Sequence, residues 1–205
     1  MNAKKSLIIA GCAWLMLLAL SFWASIYMGW GLAESDHAPS SVWMYARRGL
    51  LFACALLVPR IAGGAGAAAY GWKISLKWFL IAVPVGIAMG FSNPGGFDPR
   101  YASAILLACM HALATELFFR AYLITTLSAV FRKFWPPVII SSLMYGIFYL
   151  TVWTTWAQPG ARKFIFVGLF TCIGLIHGYC YKKSNSFLVP WLVHFLGVLK
   201  YKGLF

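Results

Sequence analysis

The sequence predicts an all-α, polytopic membrane protein, a helical bundle of about seven helices, and three observations carry that reading. Of its 205 residues 62% are hydrophobic, whereas an average soluble domain is about 45–50% apolar. Only 10% are charged, against about 25% in a soluble domain. Long apolar runs also alternate with short clusters of Gly, Pro, Asn, Ser and basic residues, the punctuation expected of turns between spans.

A spanning helix needs about 20 mostly apolar residues. On that rule the first helix falls near residues 6–31 and stops at ESDHAPSS (34–41). Its apolar stretch is too long for a signal peptide and no A-x-A-like cleavage site follows, so it reads as a retained helix. The second falls near 42–62 and runs into the Gly/Ala-rich RIAGGAGAAAYGWK (60–73). A third, near 77–92, is short and ends at SNPGGFDPR (92–100). The fourth, near 102–129, is long and ends at FRKFWPP (131–137). Helices near 135–156 and 164–181 follow, broken by AQPGARK (157–163) and YKKSN (181–185). The last, near 185–199, is again short, so it and the third are candidates for re-entrant segments. No repeat or low-complexity tract is visible, and residues 1–205 read as one membrane domain.

The charge balance narrows the partners. Seventeen Lys and Arg face four acids, yet the basic residues come in pairs between apolar runs and form no long patch. A nucleic-acid surface needs basic residues clustered on a water-exposed face, so no nucleic-acid partner is expected, and membrane lipids with anionic headgroups are. With the N-terminus cytoplasmic, that side holds Lys4, Lys5, Arg60, Lys73, Lys77, Arg132, Lys133, Lys182 and Lys183, and the other Arg100, Arg162, Lys163, Lys200 and Lys202. The bias favours the N-terminus inside, in a bacterial inner membrane. Glu34, Asp36 and Asp98 then lie outside, and Arg47 and Arg48 are expected to snorkel to the outer headgroups, the alternative being that one of them partners an acidic ligand or the tail of a substrate. Trp23, Trp30, Trp43, Trp135, Trp153 and Trp156 fit interface belts. Five cysteines, Cys12, Cys54, Cys109, Cys172 and Cys180, sit in apolar helices without C-x-x-C spacing, which suggests packing rather than zinc or disulfides.

Ionisable groups in hydrocarbon cost several kcal/mol and persist mostly where they work or are paired. Glu116 is the one acid within an expected span, and Arg120, four residues on in TELFFRAYL, shares its helix face and can pair with it. His194, in LVPWLVHFLG, lies about 14 Å into the last helix at 1.5 Å per residue, at a depth similar to Glu116. His111 lies one turn before Thr115 on the same face. His177 is expected to reach the interface near a cytoplasmic helix end, and His37 sits in a loop. A metal site from Glu116, His194 and His111 would need helices to converge on ligand geometry that no spacing demonstrates. Neither metal nor cofactor is expected.

TELFFRAYL, then SSLMYGIFYL, then SNSFLVPWLVHFLGVL resemble the three motifs of the CAAX-protease and bacteriocin-processing (CPBP) family of intramembrane endopeptidases. The resemblance covers residues 102–199, with residues 1–101 as additional N-terminal helices. It implies that Glu116, Arg120 and His194 are retained family positions. It also implies three losses. Where the family has EExxxR this chain has Thr115 before Glu116; FxxxH becomes Tyr145 to Tyr149; HxxxN becomes His194 to Val198. In the family, the first glutamate and second-motif histidine activate a water while the third-motif pair steadies the oxyanion.

Amide hydrolysis needs a base matched to the working pH and a donor aimed at the oxyanion. Threonine and neutral tyrosine supply no such base, and a carboxylate committed to Arg120 is a poor one. The expectation is therefore a degenerate member that binds a membrane peptide, a lipid-modified tail or a membrane protein partner without hydrolysis. The alternative is an active protease with an altered site, in which His111 is the replacement base and Tyr149 a hydrogen-bond donor. A transporter or channel subunit would call for charges on several helices or matching broken segments in two halves, and neither is visible.

Overall fold

A computed structural model describes residues 3–27, 42–62, 67–92, 96–151 and 160–201. In chain order its helices are α1 (Ala3–Tyr27), α2 (Val42–Ala62), α3 (Leu76–Ser92), α4 (Ala102–Val130), α5 (Trp135–Phe148), α6 (Arg162–Ser184) and α7 (Leu188–Gly197). Short 3-10 turns cover Ala67–Tyr70 and Tyr149–Thr151. Among the described residues there is no strand, only a parallel backbone bridge between Phe97 and Leu199. Three helices are long and apolar enough to cross a membrane: Lys4–Trp23, Ala102–Val130 and Arg162–Ser184. The expected all-α membrane bundle is what forms. Residues 28–31 and 152–156 of the expected helices, and with them Trp30, Trp153 and Trp156, lie outside the described residues, as do Glu34, Asp36 and His37.

Local chemistry explains the boundaries. Proline sits in the first turn of α5, where a missing N–H is harmless and the fixed φ suits the helix. α6 ends on Asn185 in the left-handed region at φ 52°, a conformation asparagine tolerates, and Lys182 and Lys183 in its last turn favour the negative helix end. Those two lysines therefore lie within α6, which ends three residues beyond its expected stop.

α4 is the central helix. Half of its apolar span is buried, compared with 22% in α1 and 28% in α6, and every residue from Leu117 to Ile124 is buried, so it is covered on all sides. That same stretch is a π-helix between two α-helical parts, a local widening that is frequent at functional sites.

Small residues let its neighbours approach closely, as in other membrane bundles. A Cβ on Gly146 of α5 would overlap the Thr171 hydroxyl of α6, and one on Gly86 of α3 would lie 2.7 Å from Leu196 Cβ of α7. α3 and α7 run parallel. At their starts Phe187 N–H donates to Tyr70 O and Ser186 Oγ donates to Gly71 O at 2.9 Å. Past their ends Phe97 N–H donates to Val198 O and Lys200 N–H to Phe97 O, each at 2.9 Å. At 17 and ten residues, α3 and α7 are the short apolar helices the sequence predicts, and neither is among the three long enough to cross a membrane.

Arg48 departs from its expected snorkelling. It is buried in α2 with its guanidinium carbon 5.9 Å from the Phe97 ring centroid, so it turns toward the protein. The side chains of Arg47 and Trp43 lie outside the described residues. Trp23 and Trp135 are exposed as interface residues would be. Cys54 and Cys180 are buried packing residues, while Cys12 and Cys172 are exposed.

Candidate functional site

Glu116 is the centre of a polar cluster shared by α4, α6 and α7. It is wholly buried, and its Oε1 lies 2.6 Å from His194 Nδ1 and 2.9 Å from His177 Nδ1. Its Oε2 lies 3.2 Å from Arg120 Nε, close enough for an ion pair although not aligned as a hydrogen bond. An ionised carboxylate only accepts hydrogen bonds, so both imidazoles donate from Nδ1. When neutral, each then keeps its lone pair on Nε2.

Arg120 is likewise fixed by what surrounds it. Its Nη1 donates to Ser141 Oγ at 3.2 Å, and Ser141 Oγ in turn donates to Phe119 O at 2.5 Å. The guanidinium carbon stands 4.7 Å from the Tyr145 ring centroid, in cation–π range. The two charges therefore compensate each other inside the bundle. Breaking such a pair by removing one partner typically destabilises by about 3–5 kcal/mol.

Thr115, Tyr149 and Val198, which the family resemblance marks as substituted, hold different chemistry. Thr115 is buried and its hydroxyl donates to His111 O at 2.7 Å, one turn back on its own helix. Tyr149 Oη lies 3.2 Å from His111 Nε2 and 3.3 Å from Tyr145 Oη, and its ring stacks on Phe170 with centroids 3.9 Å apart. Val198 caps α7; its N–H donates to His194 O at 2.9 Å and its side chain offers no donor. His111 meets His194 edge to face with ring centroids 5.4 Å apart. The structure thus brings Glu116, Arg120 and His194 into one cluster, with His111 and Tyr149 beside it.

His177 was missed. It was expected near the interface, but it is fully buried and bonded to Glu116. Because α6 continues to Ser184, His177 lies deeper than a helix ending at 181 would place it. The available signal was a single histidine in the apolar run CIGLIHGYC.

Glu116, His177 and His194 also place three candidate metal-ligand atoms within 4.8 Å of one another. His177 stands here in place of the His111 that the sequence offered, whose Nε2 lies 3.2 Å from Tyr149 Oη. Arg120 already compensates the carboxylate, and both facing nitrogens are engaged with Oε1. A dication here would meet a guanidinium.

Fold and site together define an integral membrane helical bundle built around a buried carboxylate–imidazole–guanidinium cluster. Residues 98–199 match the family model described as type II CAAX prenyl endopeptidase Rce1-like, and through that half the chain belongs to the CAAX-protease-like (CPBP) family. No curated protein and no solved structure matches the chain.

Proposed function

We propose that this chain is a catalytically silent CAAX-protease-like membrane protein, which keeps the helical frame to hold a membrane peptide, a lipid-modified tail or a membrane protein partner without cleaving it. One observation carries the reading. The carboxylate of Glu116 faces two imidazoles and a guanidinium at full burial, while Thr115 and Tyr149 stand at the family's water-activating positions. A general base must reach the proton it abstracts, and a carboxylate with both oxygens facing donors on its own helices is spent as structure. Val198 removes a side-chain donor from the oxyanion position, where one donor is worth about 10²–10³ in rate.

A second reading rests on His111. Its contact with Tyr149 and its approach to His194 make it, among the described residues, the one half-buried imidazole that could serve as a replacement base in an active endopeptidase. The positive-inside bias supports a cytoplasmic N-terminus in a bacterial inner membrane. Labelling of cysteines placed at Lys5 and Arg162 from either side tests that orientation.

Proteolysis separates the two functions. Purified protein in nanodiscs is offered membrane peptides with CAAX-like tails, beside His111→Ala and the triple variant Thr115→Glu, Tyr149→His, Val198→Asn. Silence of the wild type with cleavage by the triple variant is the expected result. Wild-type cleavage that His111→Ala abolishes would overturn the silent reading in favour of the second.

A further inference from the structure

Away from the buried cluster, α5 and α6 present a two-helix face with a chemical gradient along it. On α5, Trp135, Ile139, Leu143 and Ile147 form an exposed row at i, i+4 spacing. On α6, Ile176, Tyr179 and Lys183 continue one exposed row. Trp135 stacks on Tyr179 with centroids 6.2 Å apart and an interplanar angle of 23°, which joins the two rows at one end. That end is cationic. Lys182 Nζ and Lys183 Nζ stand 5.9 Å and 5.5 Å from the Phe134 ring centroid, and Lys182 also donates to Ser128 Oγ at 3.1 Å.

These ammonium groups are held in place, not trailing in a loop. They also have few acids to answer them: the sequence contains four, of which Asp98 is bound to Arg100 past the far end of α3, Glu116 is buried in the cluster, and Glu34 and Asp36 follow α1. Arg132 and Lys133, exposed in the adjoining turn, add to the same field. From this end inward the face reads cations, then Trp and Tyr, then aliphatic side chains. That is the order of an anionic headgroup, an interfacial zone and acyl chains.

We infer that the α5–α6 face is a binding site for one anionic phospholipid, its phosphate between Lys182 and Lys183 and an acyl chain along the Ile139, Leu143 and Ile176 surface. The charge complementarity selects the headgroup and the exposed apolar rows select a lipid over a free anion. A basic side chain near an anionic lipid surface contributes about fivefold in binding.

Native mass spectrometry of the full-length protein in detergent, titrated separately with phosphatidylglycerol and phosphatidylcholine, tests the site. The expected result is a single-lipid adduct selective for phosphatidylglycerol. It should weaken about fivefold in Lys183→Gln and about thirtyfold in Lys182→Gln/Lys183→Gln. Binding should persist in Lys182→Arg/Lys183→Arg and in Lys200→Gln at the other end of the bundle. Lys183 is exposed, so its single variant reads out binding even if the double variant folds poorly. Equal binding of the two lipids, or phosphatidylglycerol binding unchanged in the Lys183 variant, would overturn the site. Competition by millimolar inorganic phosphate would make it an anion site instead and overturn the assignment to lipid.

Discussion

His177 on α6 lies 2.9 Å from Glu116 on α4, so the carboxylate in TELFFRAYL is partnered by a histidine outside the three segments that carry the family resemblance. The contact ties α6 to the central helix at full burial. It also makes Glu116 the meeting point of three helices, because His194 brings α7 to the same oxygen.

Removing His177 should therefore loosen the bundle. A hydrogen bond to a charged group contributes about 1.5–3 kcal/mol. His177→Ala is expected to destabilise by at least about 2 kcal/mol, read as a lower midpoint of unfolding in detergent. An unchanged midpoint would mean that the pair does not hold the helices together.

The Glu116–Arg120 pair should show strong coupling. Glu116→Gln leaves a buried guanidinium uncompensated, and Arg120→Met leaves a carboxylate facing only imidazoles; each should cost about 3–5 kcal/mol. The double variant should cost clearly less than the sum, with an interaction energy of about 1–3 kcal/mol in a double-mutant cycle. Additive losses would show that the two charges do not act as a unit.

These contacts mark how far the sequence could be read. The helices were legible because an apolar run has no other use at this density, and Gly, Pro and Asn clusters interrupt it where the chain turns. Glu116 and Arg120 stood out as charges in mid-helix. His177 did not, because the basic pair Lys182 and Lys183 looked like a helix stop, whereas lysines in the last turn complement the helix end and let α6 run on to Ser184. Arg48 was misread for a different reason. Its guanidinium turns toward Phe97, 49 positions away in the chain, and no periodicity within α2 contains that approach. The π-helix from Leu117 to Ile124 has no residue signature in the sequence, and every residue in it is buried.

The α5–α6 seam should be intolerant of even one methyl group. A Cβ at Gly146 would overlap Thr171 Oγ1 and sit 2.7 Å from Val167 O, and that carbonyl already accepts from Thr171. Gly146→Ala is expected to destabilise by about 1–3 kcal/mol, the usual consequence of overpacking a close interface. Adding Thr171→Ser, which keeps the hydroxyl but removes a methyl, should recover little. Gly146→Ala/Thr171→Ala, which clears the hydroxyl from the clash, should recover more. Unfolding midpoints of the three variants check the order.

The loop after α3 should carry a pH-dependent part of the stability. Arg100 donates to Asp98 from its backbone N–H and its guanidinium, and these bonds lower the Asp98 carboxyl from 3.8 to about 2. A carboxyl whose folded value is depressed stabilises the folded state while it is ionised there. Its contribution is therefore complete above about pH 4 and fades as the pH falls toward 2, where the folded form also takes up the proton. Asp98→Asn should be less stable than the wild type at pH 6, and the difference should shrink as the pH is lowered from 4 to 2. Paired unfolding curves across that range check it: a difference that stays constant would place the effect of Asp98 in packing, and one that grows on acidification would reverse the sign assigned to the ion pair.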